Sequence, residues 1–153
     1  MDYRVLEEMM EGLIGGVPHP VANLANASAL IWETLPDLNW AGFYLTEKDE
    51  EGRPLLVLGP FQGRPACIEI PWGKGVCGTA AAAGETQLVP DVHLFPGHIA
   101  CDAASASEIV VPLKDKDGNV FGVMDLDSPL TWRFTEEDRA GLERLARIIE
   151  QEW

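Results

Sequence analysis

The residues of this sequence that are best suited to redox chemistry are its three cysteines, Cys67, Cys77 and Cys101. Cys101 lies at the centre of residues 96–105, a stretch of small, polar and turn-forming residues that is too irregular for a core element. A cysteine near solvent in such a loop is accessible to reaction, which favours Cys101 as a reactive thiol. The alternative is that Cys101 is a small buried apolar residue, as free cysteines often are.

Cys77 lies in a different setting, at the end of the glycine-rich segment 72–78. This segment leads into Thr79 and four alanines, so the sequence predicts a loop that opens a short helix, which Gly84 ends as its C-cap. A helix N-terminus lowers the pKa of a thiol, and by that argument alone Cys77 would be the nucleophile. The spacing of a Walker phosphate-binding loop is absent from the segment.

Three acidic residues are predicted to share one face of a hairpin. Asp117-Gly118 is typical of a two-residue hairpin loop, and pairing outward from it places Glu108 opposite Asp127, with Asp125 on the same face. Like charges opposed across strands destabilise a sheet, so the cluster favours a cation site, such as one for the ammonium of a small ligand. Mutual repulsion would also leave one carboxyl protonated near neutral pH. The alternative is a solvated acidic face.

Length and charge restrict the function classes. At 153 residues the chain is predicted to form a single domain, 1–153, with room for a proper core. A net charge of −14 argues against nucleic acid and anionic membranes as partners. No apolar run approaches a membrane span, no basic signal segment is visible, and the cysteine count is odd, so we expect a cytoplasmic protein in a reducing compartment.

Hydrophobic periodicity predicts helices before and after the strands that carry these residues. The first helix ends at Gly15-Gly16, and the second runs from about 20 to 35. Its buried stripe is predicted to contain Val21, Leu24, Ala25, Ser28, Ile31, Trp32 and Leu35. Thr135 and Asp138 form a capping box for the last helix.

The strands are predicted to form one mostly antiparallel sheet. Their expected positions are 40–46, 55–58, 67–70, 87–89, 108–113 and 120–127, with Gly59-Pro60 ending the second and Ile68 and Ile70 on one face of the third. This element order predicts an α+β fold, with the terminal helices packed on one face of the sheet and the active-site loops on the other.

Six segments carry a resemblance to a known family. They are NWAGFY at 39–44, LGPFQG at 58–63, GVCGT at 75–79, GHIACDA at 97–103, SEIV at 107–110 and DLDS at 125–128. In this order and spacing they resemble the free methionine-(R)-sulfoxide reductases, single-domain enzymes with a GAF fold. The resemblance covers the chain from about Ala22 to the last helix, and it is this resemblance that implies the R epimer of the substrate.

The resemblance also implies roles for the cysteines. Cys101 would be the nucleophile that attacks the sulfoxide sulfur and becomes a sulfenic acid. Cys67 would condense with it to a disulfide, which thioredoxin or another external dithiol reduces without any cofactor. Cys77 would then be a packing residue or a reserve resolving thiol.

The same resemblance implies the substrate-binding residues. Glu108, Asp125 and Asp127 would hold the substrate ammonium and polarise the sulfoxide oxygen, with the division between them left open. An aromatic wall that includes Trp40 would receive the S-methyl group. A homodimer formed through the terminal helices is expected, as is common for GAF domains.

Two other functions are alternatives. The first is a non-catalytic GAF sensor module that binds a small molecule such as a cyclic nucleotide, although three acidic groups on the pocket face would repel a phosphate. The second is a zinc site, with ligands drawn from Cys67, Cys77, Cys101, His93 and His98. The sequence has no Cys-x-x-Cys pair to support zinc.

Overall fold

The computed structural model describes residues 2–99 and 103–153. In chain order these residues form α1 (Tyr3–Ile14), α2 (Pro20–Thr34), β1 (Trp40–Lys48), β2 (Pro54–Gly63), β3 (Glu69–Pro71), α3 (Gly75–Ala83), β4 (Gln87–Val89), β5 (Ser107–Lys114), β6 (Val120–Ser128) and α4 (Glu136–Gln151). A single 3₁₀ turn, Val92–Leu94, follows β4. In this described part of the chain no helix is long and apolar enough to cross a membrane.

The strands form one six-stranded sheet in the order β3-β2-β1-β6-β5-β4, and every neighbouring pair is antiparallel. Helices α1, α2 and α4 cover one face, and α3 with the loops around it covers the other. This confirms the predicted α+β architecture. β1 is a central strand covered on both sides, as expected: Phe43 enters the core under the terminal helices, and Tyr44 the core on the α3 side.

The last helix begins as the sequence predicts. The Thr135 hydroxyl accepts a hydrogen bond from the Asp138 backbone N–H, and the Asp138 carboxylate accepts one from the Thr135 backbone N–H, which completes the capping box. Asp138 also accepts a 2.7 Å hydrogen bond from the Tyr3 hydroxyl. The same carboxylate therefore caps α4 and ties α1 to it.

The buried face of α2 differs in part from the predicted stripe. Val21, Ala25 and Trp32 are exposed, whereas the buried positions include Asn23, Ala27 and Leu30 as well as the predicted Leu24, Ser28 and Ile31. The helix packs against α1 and against the sheet. Its buried face therefore includes the small residues Ala27 and Ser28, which permit close approach. Periodicity predicted the helix but not which neighbours it would have.

Two predicted strand boundaries are wrong. β2 does not end at Gly59-Pro60 but continues to Gly63, through an irregularity opposite β1 between Gly42 and Tyr44. β3 pairs only with Leu55–Val57, and Pro60 lies in the irregular part of the pairing with β1. No regular ladder hydrogen bond therefore needs an N–H at Pro60, and proline is tolerated at such a bulge. Ile68 is exposed and does not share the buried side of Ile70, because β3 begins only at Glu69.

Candidate active site

A small cavity of about 40 Å³ lies on the sheet face opposite the terminal helices, beneath α3. Its lining includes Trp40, Tyr44, Cys77, Glu108, Asp125 and Asp127. The structure therefore brings together five of the seven residues predicted for the site: Trp40, Cys77 and the three carboxylates. It leaves Cys67 beside the site, packed against the same apolar cluster. Cys101 lies outside the described residues.

The three carboxylates meet in the predicted register. Glu108 pairs with Asp127 across β5 and β6, and Asp125 lies two residues back on the same face of β6. All three are buried in the folded chain. The prediction of a shared acidic face is confirmed, and the alternative of a solvated acidic face is wrong.

The hairpin that sets this register differs at its tip from the predicted two-residue loop. The turn spans 115–119 and is held by the Asp115 carboxylate, which accepts the backbone N–H groups of Asp117 and Asn119. A register shift near Lys114 leaves Phe121 as one extra residue in β6. The wider tip and the extra residue compensate one another, so the pairing of Glu108 with Asp127 is restored.

Burial controls the protonation of the cluster. It raises the pKa of Glu108 well above its ordinary value, and the neighbouring Asp125 and Asp127 charges raise it further. Burial also raises the pKa of Asp125, but hydrogen bonds from Glu108 and Cys77 oppose the shift. Asp125 Oδ1 is buried and has no hydrogen-bond partner among the described residues.

Cys77 is held as a protonated thiol. It is the third residue of α3, and its Sγ lies 3.3 Å from Asp125 Oδ2, to which it donates a hydrogen bond. Burial, followed by the charges of the three carboxylates, raises the pKa of the Cys77 thiol well above its ordinary value. The expectation that the helix N-terminus lowers the pKa of Cys77 is therefore wrong, since desolvation and nearby negative charge outweigh the helix dipole.

Cys67 and Cys77 differ in oxidation state. Cys67 is disulfide-bonded, whereas Cys77 is a free thiol. The Cys67 backbone carbonyl accepts a 2.9 Å hydrogen bond from the Tyr44 hydroxyl, which fixes the segment before β3 against β1.

An aromatic wall bounds the cavity on the β1 side. Trp40 stacks on Phe61 with ring centroids 5.1 Å apart and on Tyr44 at 5.8 Å, and its Nε1 donates a 3.2 Å hydrogen bond to the Arg64 carbonyl. Gly42 lies between Trp40 and Tyr44 on this face, where a Cβ would collide with Phe61. Sequence reasoning missed Tyr44, although the period of two from Trp40 along β1 would have found it.

His98 was also missed as a pocket residue. It lines the cavity, and its Nε2 lies 3.8 Å from Glu108 Oε1. Burial, followed by the nearby His93, lowers the pKa of His98. The signal available in the sequence was its place three residues before Cys101, in the same polar loop.

One group of side chains in the described ranges could hold a metal ion. The ligand atoms of Cys77, Glu108 and Asp125 lie within 4.8 Å of one another, and zinc accepts thiolate and carboxylate ligands. This group does not contain Cys67, His93 or His98 from the alternative zinc set. Cys77 Sγ already donates a hydrogen bond to Asp125 Oδ2 within this group.

The chain is similar to known proteins over nearly its whole length. The pattern of the GAF domain family matches residues 21–153. The free methionine-R-sulfoxide reductase of Escherichia coli is 52% identical over 149 residues, which cover 97% of this chain and 87% of that protein. The free methionine-R-sulfoxide reductase of Saccharomyces cerevisiae is 51% identical over 152 residues, covering 95% and 83%.

A solved structure is similar in fold as well as in sequence. The free methionine-R-sulfoxide reductase from Neisseria meningitidis, in complex with its substrate, aligns with a TM-score of 0.91 at 45% identity. The alignment covers 98% of this chain and 87% of that one. At this identity the match extends beyond a shared fold.

Proposed function

The chain belongs to the GAF domain family and, within it, to the free methionine-R-sulfoxide reductases, and from that premise we propose how its residues carry out the reaction. It is an oxidoreductase that reduces free methionine-R-sulfoxide to methionine. The observation that supports the proposed mechanism is the trio of buried carboxylates in a cavity that no lysine or arginine of the described residues lines. Buried negative charge of this kind needs a cation from the ligand.

In the first step the Cys101 thiolate bonds to the sulfoxide sulfur, and the sulfoxide oxygen takes a proton from Glu108. The oxygen then moves to the Cys101 sulfur: a new sulfur–oxygen bond forms there, the sulfur–oxygen bond of the substrate and the bond between the two sulfurs break, and methionine departs, leaving Cys101 as a sulfenic acid. Glu108 suits this role because burial and the neighbouring negative charges raise its pKa, which favours the protonated form that can donate a proton. The step makes Cys101 the group that is oxidised and leaves Glu108 deprotonated.

Asp125 and Asp127 bind the substrate ammonium in this mechanism. Asp125 is a better anion than Glu108 because hydrogen bonds from Glu108 and Cys77 oppose the rise in pKa that burial causes, whereas the causes acting on Glu108 raise its pKa. Trp40, fixed by its two stacking contacts, forms the apolar wall for the S-methyl group. Cys77 serves as a hydrogen-bond donor to Asp125 and not as a nucleophile.

The second step returns the enzyme to its starting state. The Cys67 thiol attacks the sulfenic acid, water leaves, and a disulfide forms that thioredoxin or another dithiol reduces by exchange. Cys67 is disulfide-bonded while Cys77 is free, which supports Cys67 as the resolving thiol. The electrons come from thiols throughout, so we propose no cofactor. Recycling by thioredoxin requires a reducing compartment, for which we propose the cytoplasm.

Assays on the separate sulfoxide epimers test this function. With dithiothreitol as reductant, the purified protein should release methionine from the R epimer of the free amino acid and not from the S epimer. A protein that binds the R epimer but releases no methionine would instead be a sensor module, and the proposed mechanism would be wrong. Reduction of both epimers at similar rates would contradict the substrate assignment.

We also propose that the chain forms a homodimer. Val5, Met9 and Leu13 lie four residues apart on α1 and expose 48%, 43% and 38% of their surfaces, which forms an apolar stripe on the outer side of the helix. A second copy would cover this stripe. Light scattering should give twice the monomer mass, and Met9→Glu should shift the mass toward the monomer; a monomeric wild-type protein would contradict the proposal.

A further inference from the structure

The buried position of Glu108 creates a proton-supply problem. Each reduction of a sulfoxide removes one proton from Glu108, and the next turnover requires that proton to be replaced. Glu108 is 6% exposed, and its carboxylate neighbours Asp125 and Asp127 are 5% and 8% exposed. Proton exchange with water through such buried groups is slow unless another titratable side chain connects them to the solvent.

Six titratable side chains line the cavity in the described part of the chain, and only one meets the requirements for this connection. Three are the carboxylates themselves. Tyr44 and Cys77 stay protonated, because burial raises the pKa of both far above neutral. The sixth is His98, whose side chain is 16% exposed, compared with 8% for the Glu108 side chain.

His98 is placed to bridge the solvent and the cluster. Its backbone N–H donates a 3.2 Å hydrogen bond to the Phe95 carbonyl, and its Nε2 lies 3.8 Å from Glu108 Oε1. The charged or titratable groups that act on it in the described residues are Glu108 on β5 and His93 on the 3₁₀ turn. Burial and His93 lower its pKa, so His98 is neutral near pH 7 and can accept a proton and pass it on.

We infer that His98 carries protons between the solvent and Glu108, returning the proton that each reduction removes. The inference rests on the proposed role of Glu108 as the proton donor to the sulfoxide oxygen. In balanced form, Glu108 gives one proton to the substrate oxygen, His98 takes one proton from water, and a small movement of the imidazole transfers it to the Glu108 carboxylate. His98 does not touch the sulfoxide in this scheme. It acts only through Glu108, to which it delivers the proton, and is therefore a positioning residue and not a catalytic one.

The test compares His98→Gln with the matched control His19→Gln. His19 is exposed at the start of α2, lies outside the cavity lining and makes no side-chain capping bond, so its variant should keep the wild-type kcat. His98→Gln keeps a polar side chain but cannot carry a proton, and its kcat should fall by about 100-fold, the usual effect of losing a general acid–base group, while KM changes little. The first methionine per site should still appear at the wild-type rate, because Glu108 begins protonated.

Rescue by imidazole separates proton transfer from a structural role. In His98→Ala, added imidazole should restore kcat in proportion to its concentration, and imidazole should not change the rate of the wild type. A wild-type kcat in His98→Gln, or a loss of activity in His98→Ala that imidazole does not restore, would overturn the inference. Neither result affects the proposed function, which fails if the wild-type protein releases no methionine. Full activity in Glu108→Gln would instead remove the proton donor on which the inference rests.

Discussion

The two faces of the central sheet are built from the same strands and hold opposite kinds of side chain. On β6, Met124 and Leu126 enter the core beneath the terminal helices, whereas Asp125 and Asp127 line the cavity on the other side. The helix face buries apolar groups, and their removal from water stabilises the fold. The cavity face buries carboxyls, and their desolvation costs free energy unless a ligand supplies charge in return.

Residues that stabilise the fold and residues that line the cavity therefore alternate along one strand. Leu126 is fully buried and Asp125 is 5% exposed, so burial alone does not distinguish the two roles. The face does, because successive residues of a strand point to opposite sides of the sheet. We therefore expect substitutions on the helix face to change the free energy of unfolding, and substitutions on the cavity face to change the rate of the reaction.

The largest expected effect is the loss of all turnover in Cys101→Ser. A serine hydroxyl cannot replace the thiolate that attacks the sulfoxide sulfur, so neither methionine release nor sulfenic acid should be detected, while thermal unfolding stays unchanged. Methionine analysis and a sulfenic acid probe measure the two products. Cys77→Ser is the matched control: its hydroxyl can still donate to Asp125, so it should retain most activity. Activity in Cys101→Ser together with its loss in Cys77→Ser would reverse the assignment.

The second-largest expected effect is a lower kcat/KM for substrates whose amino group is blocked. The carboxylate cluster is proposed to bind a free ammonium, and an N-acetyl group replaces that cation with a neutral, bulkier amide. Leaving a buried carboxylate without its cation costs a few kcal/mol, which lowers kcat/KM by about 100-fold or more. We expect this ratio between free and N-acetylated methionine-R-sulfoxide in the wild type. Asp125→Asn should reduce the ratio, chiefly by impairing the free substrate, whereas Glu108→Gln should impair both substrates, because Glu108 supplies the proton to the sulfoxide oxygen of either one. Equal wild-type values would contradict the cation site.

A smaller and opposite pair of effects is expected on stability. Leu126→Ala removes a fully buried side chain from the helix-side core and should lower the free energy of unfolding by about 2–5 kcal/mol, with kcat nearly unchanged. Asp125→Asn, one residue away, removes a buried charge and should leave the ligand-free protein as stable or more stable while activity falls. Urea denaturation measures both. A destabilised Asp125→Asn with an unchanged Leu126→Ala would refute the division between the faces.

The sequence was sufficient to predict the two faces of β5 and β6 but not the irregularities that adjust their register. Alternation alone placed Ile109 and Leu126 on one side and Glu108 and Asp125 on the other. The hairpin tip was predicted wrongly, and Phe121, the extra residue, happens to restore the predicted pairing. Bulges depend on how a strand packs against both neighbours, which local pattern does not contain.

The chemistry of the site could likewise be predicted only in part. Residue types identified the carboxylates, but the state of Cys77 depends on tertiary packing. Its position at a helix N-terminus argued for a low pKa, whereas the three carboxylates and full burial, which come from distant parts of the chain, raise it. His98 lies ten positions before Glu108 in the chain, and the sequence pattern does not reveal that the two side chains come within 3.8 Å of each other.

The smallest effect expected is a dependence of stability on pH that originates on the cavity face. The pKa of Glu108 is raised on folding, so between its ordinary value and its folded value the native state binds more protons than the unfolded state. The stabilisation that Glu108 adds to the free energy of unfolding is therefore fully present at low pH. It is lost as the pH rises toward the folded pKa, at up to about 1.4 kcal/mol per pH unit. Glu108→Gln should flatten this part of the profile, and Glu137→Gln, on the exposed first turn of α4, should leave it unchanged. Urea denaturation of the ligand-free protein between pH 5 and 8 measures the difference, and parallel profiles for wild type and Glu108→Gln would show that Glu108 is ionised, which would remove the proposed proton donor.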